Sequence, residues 1–182
     1  MARIPYPTRD ALEEEAAVAL DGMKPMNVFR MMARADSLAP PIFDAATRLF
    51  TKGGIALQPR WRQVAILRTA GAMGAAYLVS HHEPISRRVK MTDAEIAACV
   101  DPDEAGWAAL GAAEAAIARL ATESTLNVKV SDATFSAVRA VLNDREVVEV
   151  ILVIGLYNLI GRMLVALDVE VEAPPGTTPS NA

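Results

Sequence analysis

Segments in which small apolar residues recur at helical spacing are the feature that most limits how this chain can fold. The stretch "DPDEAGWAALGAAEAAIARLATEST" (residues 101–125) is one of them, and its small residues would let a neighbouring helix come close. Aromatic residues make up only 5% of the sequence, and runs of the residue types that build sheets are sparse. The sequence therefore predicts an all-α fold of closely packed helices.

Capping residues and glycines predict where several of these helices begin and end. Thr8 is a suitable N-cap for a first helix that Gly22 would end. Thr92 and Glu95 stand at the spacing of a capping box, in which each side chain bonds to the backbone of the other residue. The last long helix is expected to begin at Asn143 or Asp144.

The stretch that carries both histidines of the chain lies at the end of a long helical pattern. Residues 58–82 are predicted to form one helix, with Pro59 in its first turn. Pro84 has no backbone N–H and disfavours helical geometry at the residue before it. This helix is therefore expected to kink or end near the histidine pair.

The length of the chain indicates one domain with an appended arm and a tail. We expect a single all-α domain over residues 1–172, with an N-terminal helical arm (1–37) and a core (38–171). The last ten residues, "APPGTTPSNA" (173–182), are polar and rich in Pro, and are predicted to form a flexible tail.

Charge, cysteine usage and hydropathy narrow the expected location and partners. No basic stripe with interleaved aromatics appears, so nucleic acid is not expected as a partner. The single Cys99 and the lack of a secretory signal favour a reducing cytoplasm. Residues 147–169 are as long as a membrane span but carry two charges and an amide near the middle. They are expected to form a buried helix at the core or at a subunit interface, not a membrane contact.

The segment "GAAYLVSHHEP" (residues 74–84) is the strongest candidate for chemistry. Tyr77 and His81 are four residues apart and share a helix face. Adjacent histidines point about 100° apart, so we expect His82 alone to face a common pocket. The alternatives are a histidine that only complements the helix dipole and a Tyr77 that is a packed aromatic. No third ligand has suitable spacing, so a metal is not expected.

A second polar cluster lies in the last helix, within "GLYNLIGRML". Asn158 and Arg162 are four residues apart and share a face, and Tyr157 lies beside it. Buried polar groups need partners, so the cluster predicts either a polar pocket, a subunit contact or an interhelical hydrogen-bond network.

Two stretches together resemble a known family. The segments "RWRQVAILRTAGAMGAAYLVSHHEPISRRVKMTDAEI" and "LYNLIGRMLVAL" are similar to the carboxymuconolactone decarboxylase-like family, part of the superfamily that also holds the alkylhydroperoxidase D proteins. The resemblance covers roughly residues 38–171. It implies an alkylhydroperoxidase D-like helical bundle that assembles as trimers or hexamers.

The resemblance also implies which catalytic groups are missing. Peroxidase members carry Cys-x-x-Cys, a His four residues after the second Cys, and a Glu twelve residues before the first. With the family histidine at His82, the two cysteine positions fall on Ala75 and Leu78 and the glutamate position on Gln63. Peroxide reduction by this route needs both thiols, and Cys99 lies in another segment, so this chemistry is not expected.

Resemblance to the decarboxylase branch implies a cofactor-free lyase or isomerase that acts on a small hydrophobic or aromatic-derived carboxylate or lactone. His82 would be the general acid or base, and Tyr77 would orient the substrate or donate a proton. Arg68 or Arg162 would hold an anionic group. The predicted substrate-binding set also includes His81, Gln63, Tyr157 and Asn158. No cofactor is expected, and the expected partners are a small-molecule substrate and further copies of the chain.

Two other functions stay open at this point. The missing carboxylate and cysteines are also compatible with a non-catalytic oligomer that serves as a binding or scaffold protein. A thiol peroxidase is the third reading, and the lack of both thiols disfavours it.

Overall fold

The fold consists of helices joined by short turns. The computed structural model describes residues 2–101 and 103–172, and within these ranges there is no β-strand. The predicted all-α fold is confirmed, whereas the predicted tail (173–182) lies outside the described residues. The α-helices are α1 (Glu14–Asp21), α2 (Asn27–Met32), α3 (Ala39–Arg48), α4 (Pro59–Met73), α5 (Ala76–Arg88), α6 (Asp93–Val100), α7 (Ala112–Leu126), α8 (Asp132–Arg139) and α9 (Asp144–Ala166). Short 3₁₀ segments span Arg9–Ala11, Ala33–Leu38 and Glu104–Ala109.

The chain divides into two compact units. The first consists of Met1–Thr47 together with the chain from Leu167 onward, and it contains the predicted arm. In it, the Asn27 side chain donates to the backbone carbonyl of Glu170 at 3.0 Å, and the rings of Phe29 and Phe43 meet edge to face. The second unit is Arg48–Ala166, and it contains every predicted site residue.

Helix α4 is the centre of the second unit. It packs against α5, α6, α7 and α9, and every residue from Arg62 to Ala70 is buried. A helix buried on all sides normally carries few polar groups, because each one needs a partner away from water. Helix α4 nevertheless buries Arg62, Gln63, Arg68 and Thr69, so its polar residues are the first place to look for a function.

Two glycines let neighbouring helices approach closely. A β-carbon on Gly71 of α4 would clash with the backbone of Val100, at the end of α6. A β-carbon on Gly161 of α9 would collide with the tip of the Met73 side chain and press on Leu78 at 3.3 Å. Glycines at these two positions, both outside the stretch 101–125, therefore permit the close packing of helices.

The long helix predicted over residues 58–82 is wrong, because the chain turns at Gly74. This glycine has a φ of 66° and ends α4 in the left-handed conformation, which only glycine adopts without strain. Its N–H bonds to the carbonyls of Ala70 and Gly71, and α5 begins two residues later. Isolated glycines are tolerated inside helices, so the sequence pattern did not reveal this break.

The helix end expected near Pro84 is also wrong. Helix α5 continues through this proline and ends at Arg88. Proline removes one helical hydrogen bond, the one to the carbonyl four residues earlier, at Ser80. Both residues are exposed, so water can satisfy that carbonyl and the helix tolerates the loss.

Predicted helix ends agree with the structure where a side-chain cap defines them. The Thr92–Glu95 capping box is present with both of its bonds, and α9 begins at Asp144 as expected. The first helix differs, because Thr8 makes no side-chain cap and precedes only a 3₁₀ turn. The α-helix begins at Glu14, and Gly22 ends it as predicted.

Helix α9 is the most apolar long helix among the described residues, although it carries Glu149, Asn158 and Arg162. Of the described helices it alone is long and apolar enough for a membrane span by length and composition, a test that core helices also pass. It packs against α4 and α7, and 44% of its most apolar 18-residue stretch is buried. The buried face agrees with the expected core helix. The large apolar side chains left exposed on it are Val148, Ile151, Leu152, Leu159 and Val165.

Candidate active site

The turn at Gly74 brings His82 of α5 against Gln63 of α4. The Nδ1 atom of His82 lies 3.0 Å from Oε1 of Gln63, although the two residues are 19 positions apart. On one straight helix that separation would place them roughly 28 Å apart. The break that the sequence did not reveal is therefore what assembles the site.

Ser86 completes a buried polar group around this contact. Its hydroxyl donates to the backbone carbonyl of His82 at 2.8 Å and lies 3.3 Å from Gln63 Oε1. With the Gln63 amide oriented so that its oxygen faces the ring, Nδ1 of His82 would carry the hydrogen and Nε2 would keep its lone pair. An imidazole fixed in this way has one nitrogen free to accept a proton.

The surroundings of His82 are aromatic and keep it neutral. Its ring meets that of Tyr157 edge on, with centroids 5.0 Å apart, and lies 6.0 Å from that of Phe50. Burial, helped by the positive charges of His81 and Arg62, lowers the pKa of His82 from 6.5 to about 3. His82 is only 6% exposed, whereas Phe50 is 41% exposed and connects the site to the surface.

Tyr157 is the tyrosine that meets His82. It is buried on α9, and burial raises the pKa of its phenol above the ordinary value, although the charge of Arg62 opposes the rise. Its hydroxyl therefore stays protonated throughout the neutral pH range and can donate a proton or a hydrogen bond. Tyr77 packs instead on His81, with ring centroids 4.4 Å apart, as the four-residue spacing predicted.

Arg62 supplies a cation that the sequence analysis did not select. It is 8% exposed, donates through Nη1 to the backbone carbonyl of Leu49, and lies with its guanidinium carbon 4.5 Å from the centre of the Phe50 ring. Its Nε is buried without a hydrogen-bond partner. Burial lowers the pKa of Arg62, since water is excluded from its charge.

The turn before α4 is held in place by Glu149 of α9. The carboxylate of Glu149 accepts hydrogen bonds from the backbone N–H groups of Ala56 and Leu57, at 2.8 and 2.7 Å. Arg145 donates to the same carboxylate at 2.8 Å. These hydrogen bonds fix the far end of the turn that positions Leu49 and Phe50 at the site.

The arginines predicted to hold an anion lie elsewhere. Arg68 is buried on α4, but Nη1 donates to the backbone carbonyls of Cys99 and Asp101, where it caps the end of α6. Arg162 is exposed on α9, so it is not the buried polar group that the sequence suggested. Neither residue is brought to His82.

Asn158 forms the interhelical bond that was one of its predicted alternatives. Its amide nitrogen donates to the hydroxyl of Thr125 on α7 and to the carbonyl of Ile154, both at 3.0 Å. Its partners therefore join α9 to α7 and do not include His82.

The positions of the missing thiols are occupied by packed apolar side chains. Ala75 and Leu78 are both buried, and neither can act as a nucleophile. The one cysteine of the chain, Cys99, is fully buried in α6, and burial raises the pKa of its thiol to about 12. A thiol in that state is inert at neutral pH.

Residues 2–101 and 103–172 show no cluster of three or more side chains that could hold a metal ion. They do contain a groove of about 450 Å³ between α5 and α6. Its lining is Glu83, Arg87, Asp93, Ile96, Ala97, Val100 and Asp101. Ion pairs already join Arg87 to Glu83 and to Asp93, so these charges compensate each other. The groove and the His82 site have no residue in common.

Phe50, Arg62 and Ser86 are the site residues that sequence reasoning missed. Arg62 precedes Gln63 directly, so the glutamate position of the family could have drawn attention to it. Ser86 stands four residues after His82, on the same helix face. Phe50 lies outside both helices of the site, and only the tertiary fold places it there.

Comparison with known proteins identifies the fold. No family model matches the sequence, and no curated protein does. The crystal structure of an alkylhydroperoxidase AhpD core, an uncharacterized peroxidase-related protein from Ralstonia eutropha JMP134, is 18% identical with a TM-score of 0.74, covering 94% of this chain and 92% of that one. An uncharacterized peroxidase-related protein from Silicibacter sp. TM1040 is 19% identical with a TM-score of 0.75 and the same coverage. The chain therefore has the helical fold of the alkylhydroperoxidase AhpD core.

Proposed function

We propose that the protein is a cofactor-free enzyme of the lyase or isomerase type that transfers a proton through His82. Its substrate would be a small hydrophobic or aromatic-derived carboxylate or lactone. The contact between His82 Nδ1 and Gln63 Oε1 carries this proposal, since it fixes the ring and leaves Nε2 as the proton acceptor. Tyr157, protonated and beside the ring, is suited to return a proton.

Gln63 limits the mechanism to one in which the histidine acts without a carboxylate. A glutamate at this position would stabilise the imidazolium and could pass a proton on, whereas an amide does neither. Proton transfer must therefore occur between His82 Nε2, the substrate and a second donor. Tyr77 remains a predicted member of the site, and its packing on His81 gives it an orienting role rather than a direct one.

A turnover screen with purified protein tests the proposal. Lactones, enols and aromatic-derived carboxylates would be incubated with the wild type, with His82→Ala and with Cys99→Ser as the matched control. Positioned acid–base groups contribute about 10²- to 10⁴-fold to rate, so His82→Ala is expected to lose that factor. Cys99→Ser should retain full turnover. Turnover that survives His82→Ala would refute the assignment.

A non-catalytic binding or scaffold protein is the second candidate. The near-complete burial of His82 and the replacement of the family's glutamate by Gln63 favour it. The third reading, a thiol peroxidase, has only the names of the two structural neighbours in its favour. It requires thiol-dependent hydroperoxide reduction, which the buried Cys99 and the apolar Ala75 and Leu78 do not support.

We also propose that the protein is a cytoplasmic homo-oligomer, a trimer or a hexamer. The exposed apolar side chains of α9 support an interface there, because a surface of this kind is unfavourable in water. Light scattering at micromolar concentration is expected to show three or six times the chain mass of 19.4 kDa. A monomer would contradict the assembly.

A further inference from the structure

Arg62 is a buried cation whose counter-charge is missing. No carboxylate among residues 2–101 and 103–172 forms an ion pair with it; its only hydrogen-bond acceptor is the carbonyl of Leu49. Burying a charge without an ion partner costs several kcal/mol. A bound anion that supplies the partner would offset this cost.

Arg68 on the same helix shows what a structural arginine looks like here. It also has a buried Nε without a partner, so that feature alone does not distinguish the two. The difference lies in the acids: Asp101 and Glu104 are near enough to favour the charge of Arg68, whereas no carboxylate among the described residues favours that of Arg62. Arg68 is therefore compensated within the protein and Arg62 is not.

We propose that Arg62 is the anion-binding residue of the His82 site and that its ligand is the carboxylate of a small aromatic or hydrophobic acid. The Phe50 ring lies 4.5 Å from the guanidinium carbon and 6.0 Å from the centre of the His82 ring, so an acid held by Arg62 would lie close to His82. Its carboxylate would meet Arg62 Nε, and its apolar part would lie against Phe50 and Tyr157. This inference rests on the proposed function, which identifies the bound anion as the carboxylate of the substrate.

A bound carboxylate would also change how His82 behaves. The positive charge of Arg62 is one of the causes that suppress protonation of His82, together with burial and the charge of His81. An anion between Arg62 and the imidazole neutralises that effect and adds an attractive charge of its own. Binding of the substrate's carboxylate would thus make His82 a better proton acceptor at the moment when the reaction needs one.

Benzoate binding, with benzamide as the neutral probe of the same shape, tests the inference by calorimetry. Wild-type protein is expected to bind benzoate at least tenfold more tightly than benzamide, since a charge-assisted bond is about twice as strong as a neutral one. Arg62→Met should weaken benzoate binding at least tenfold, and the control Arg119→Met, at an exposed arginine paired with Glu104, should leave it unchanged. Equal binding of the two probes, no benzoate binding, or tight benzoate binding to Arg62→Met would overturn the inference.

A measurement on the wild type avoids dependence on the folding of the variants. The Nε–H resonance of Arg62 in a ¹H–¹⁵N spectrum is expected to shift with benzoate and not with benzamide, and an unmoved resonance would overturn the inference. The two proposals also fail separately. Benzoate binding through Arg62 without any His82-dependent turnover would leave the anion site standing and remove the proton-transfer function. His82-dependent turnover that Arg62→Met does not alter would leave the proton-transfer function standing and remove the anion site.

Discussion

The buried His82 should make the protein sensitive to mild acid. Its pKa is about 3 in the folded protein and 6.5 as the ordinary value, so below pH 6.5 the unfolded chain binds a proton that the folded chain rejects. Stability from this source is fully present above pH 6.5 and is lost as the pH falls towards 3. One proton corresponds to about 1.4 kcal/mol per pH unit, which gives a loss of about 3 kcal/mol between pH 7.5 and 4.5.

Urea unfolding of the wild type and of His82→Gln at several pH values isolates this effect. Carboxylates titrate in both proteins, so only the difference between their free energies of unfolding reports on His82. The wild type is expected to lose about 3 kcal/mol more than the variant over that range. If the difference between the two free energies of unfolding stays constant with pH, burial does not keep His82 neutral in the folded protein.

Two further predictions concern the thiol and the helix contacts. Cys99 should be unreactive towards a disulfide reagent at pH 8 until urea unfolds the protein, because burial raises the pKa of its thiol to about 12; fast labelling of the native protein would contradict this. Gly71→Ala should destabilise the fold by about 1–3 kcal/mol in urea unfolding, since its β-carbon would meet the rigid backbone of Val100. Gly161→Ala should cost less, because the obstacle is the flexible end of Met73; equal costs would refute the packing argument.

Local sequence signals predicted the parts of the fold that depend on local bonds. The Thr92–Glu95 capping box and the start of α9 lie where the pattern placed them, because caps are satisfied by residues within one turn. The break at Gly74 depends on helices packing against each other, and a lone glycine in an apolar run does not reveal that. The passage of α5 through Pro84 likewise depends on exposure, which the sequence alone does not give.

The site was predicted in part, and through resemblance more than through spacing. Placing the family histidine at His82 pointed to Gln63 as a site position, and the structure brings these two residues into contact. Spacing alone placed His82 and Gln63 on one helix, and therefore far from each other. Spacing could not show that Arg68 bonds to backbone carbonyls or that Arg162 is exposed, because burial and bonding partners depend on neighbours distant in sequence. Arg62 became a candidate only when its lack of an acidic partner was visible.

The protonation state of His82 is the most direct test of the proposed proton transfer. The chain has only two histidines, so ¹⁵N spectra of the labelled protein can resolve both rings. Between pH 5 and 7 His82 is expected to be neutral, with the hydrogen on Nδ1 and a lone pair on Nε2. An imidazolium in this range, or a neutral ring with the hydrogen on Nε2, would contradict the claim that His82 is poised to accept a proton.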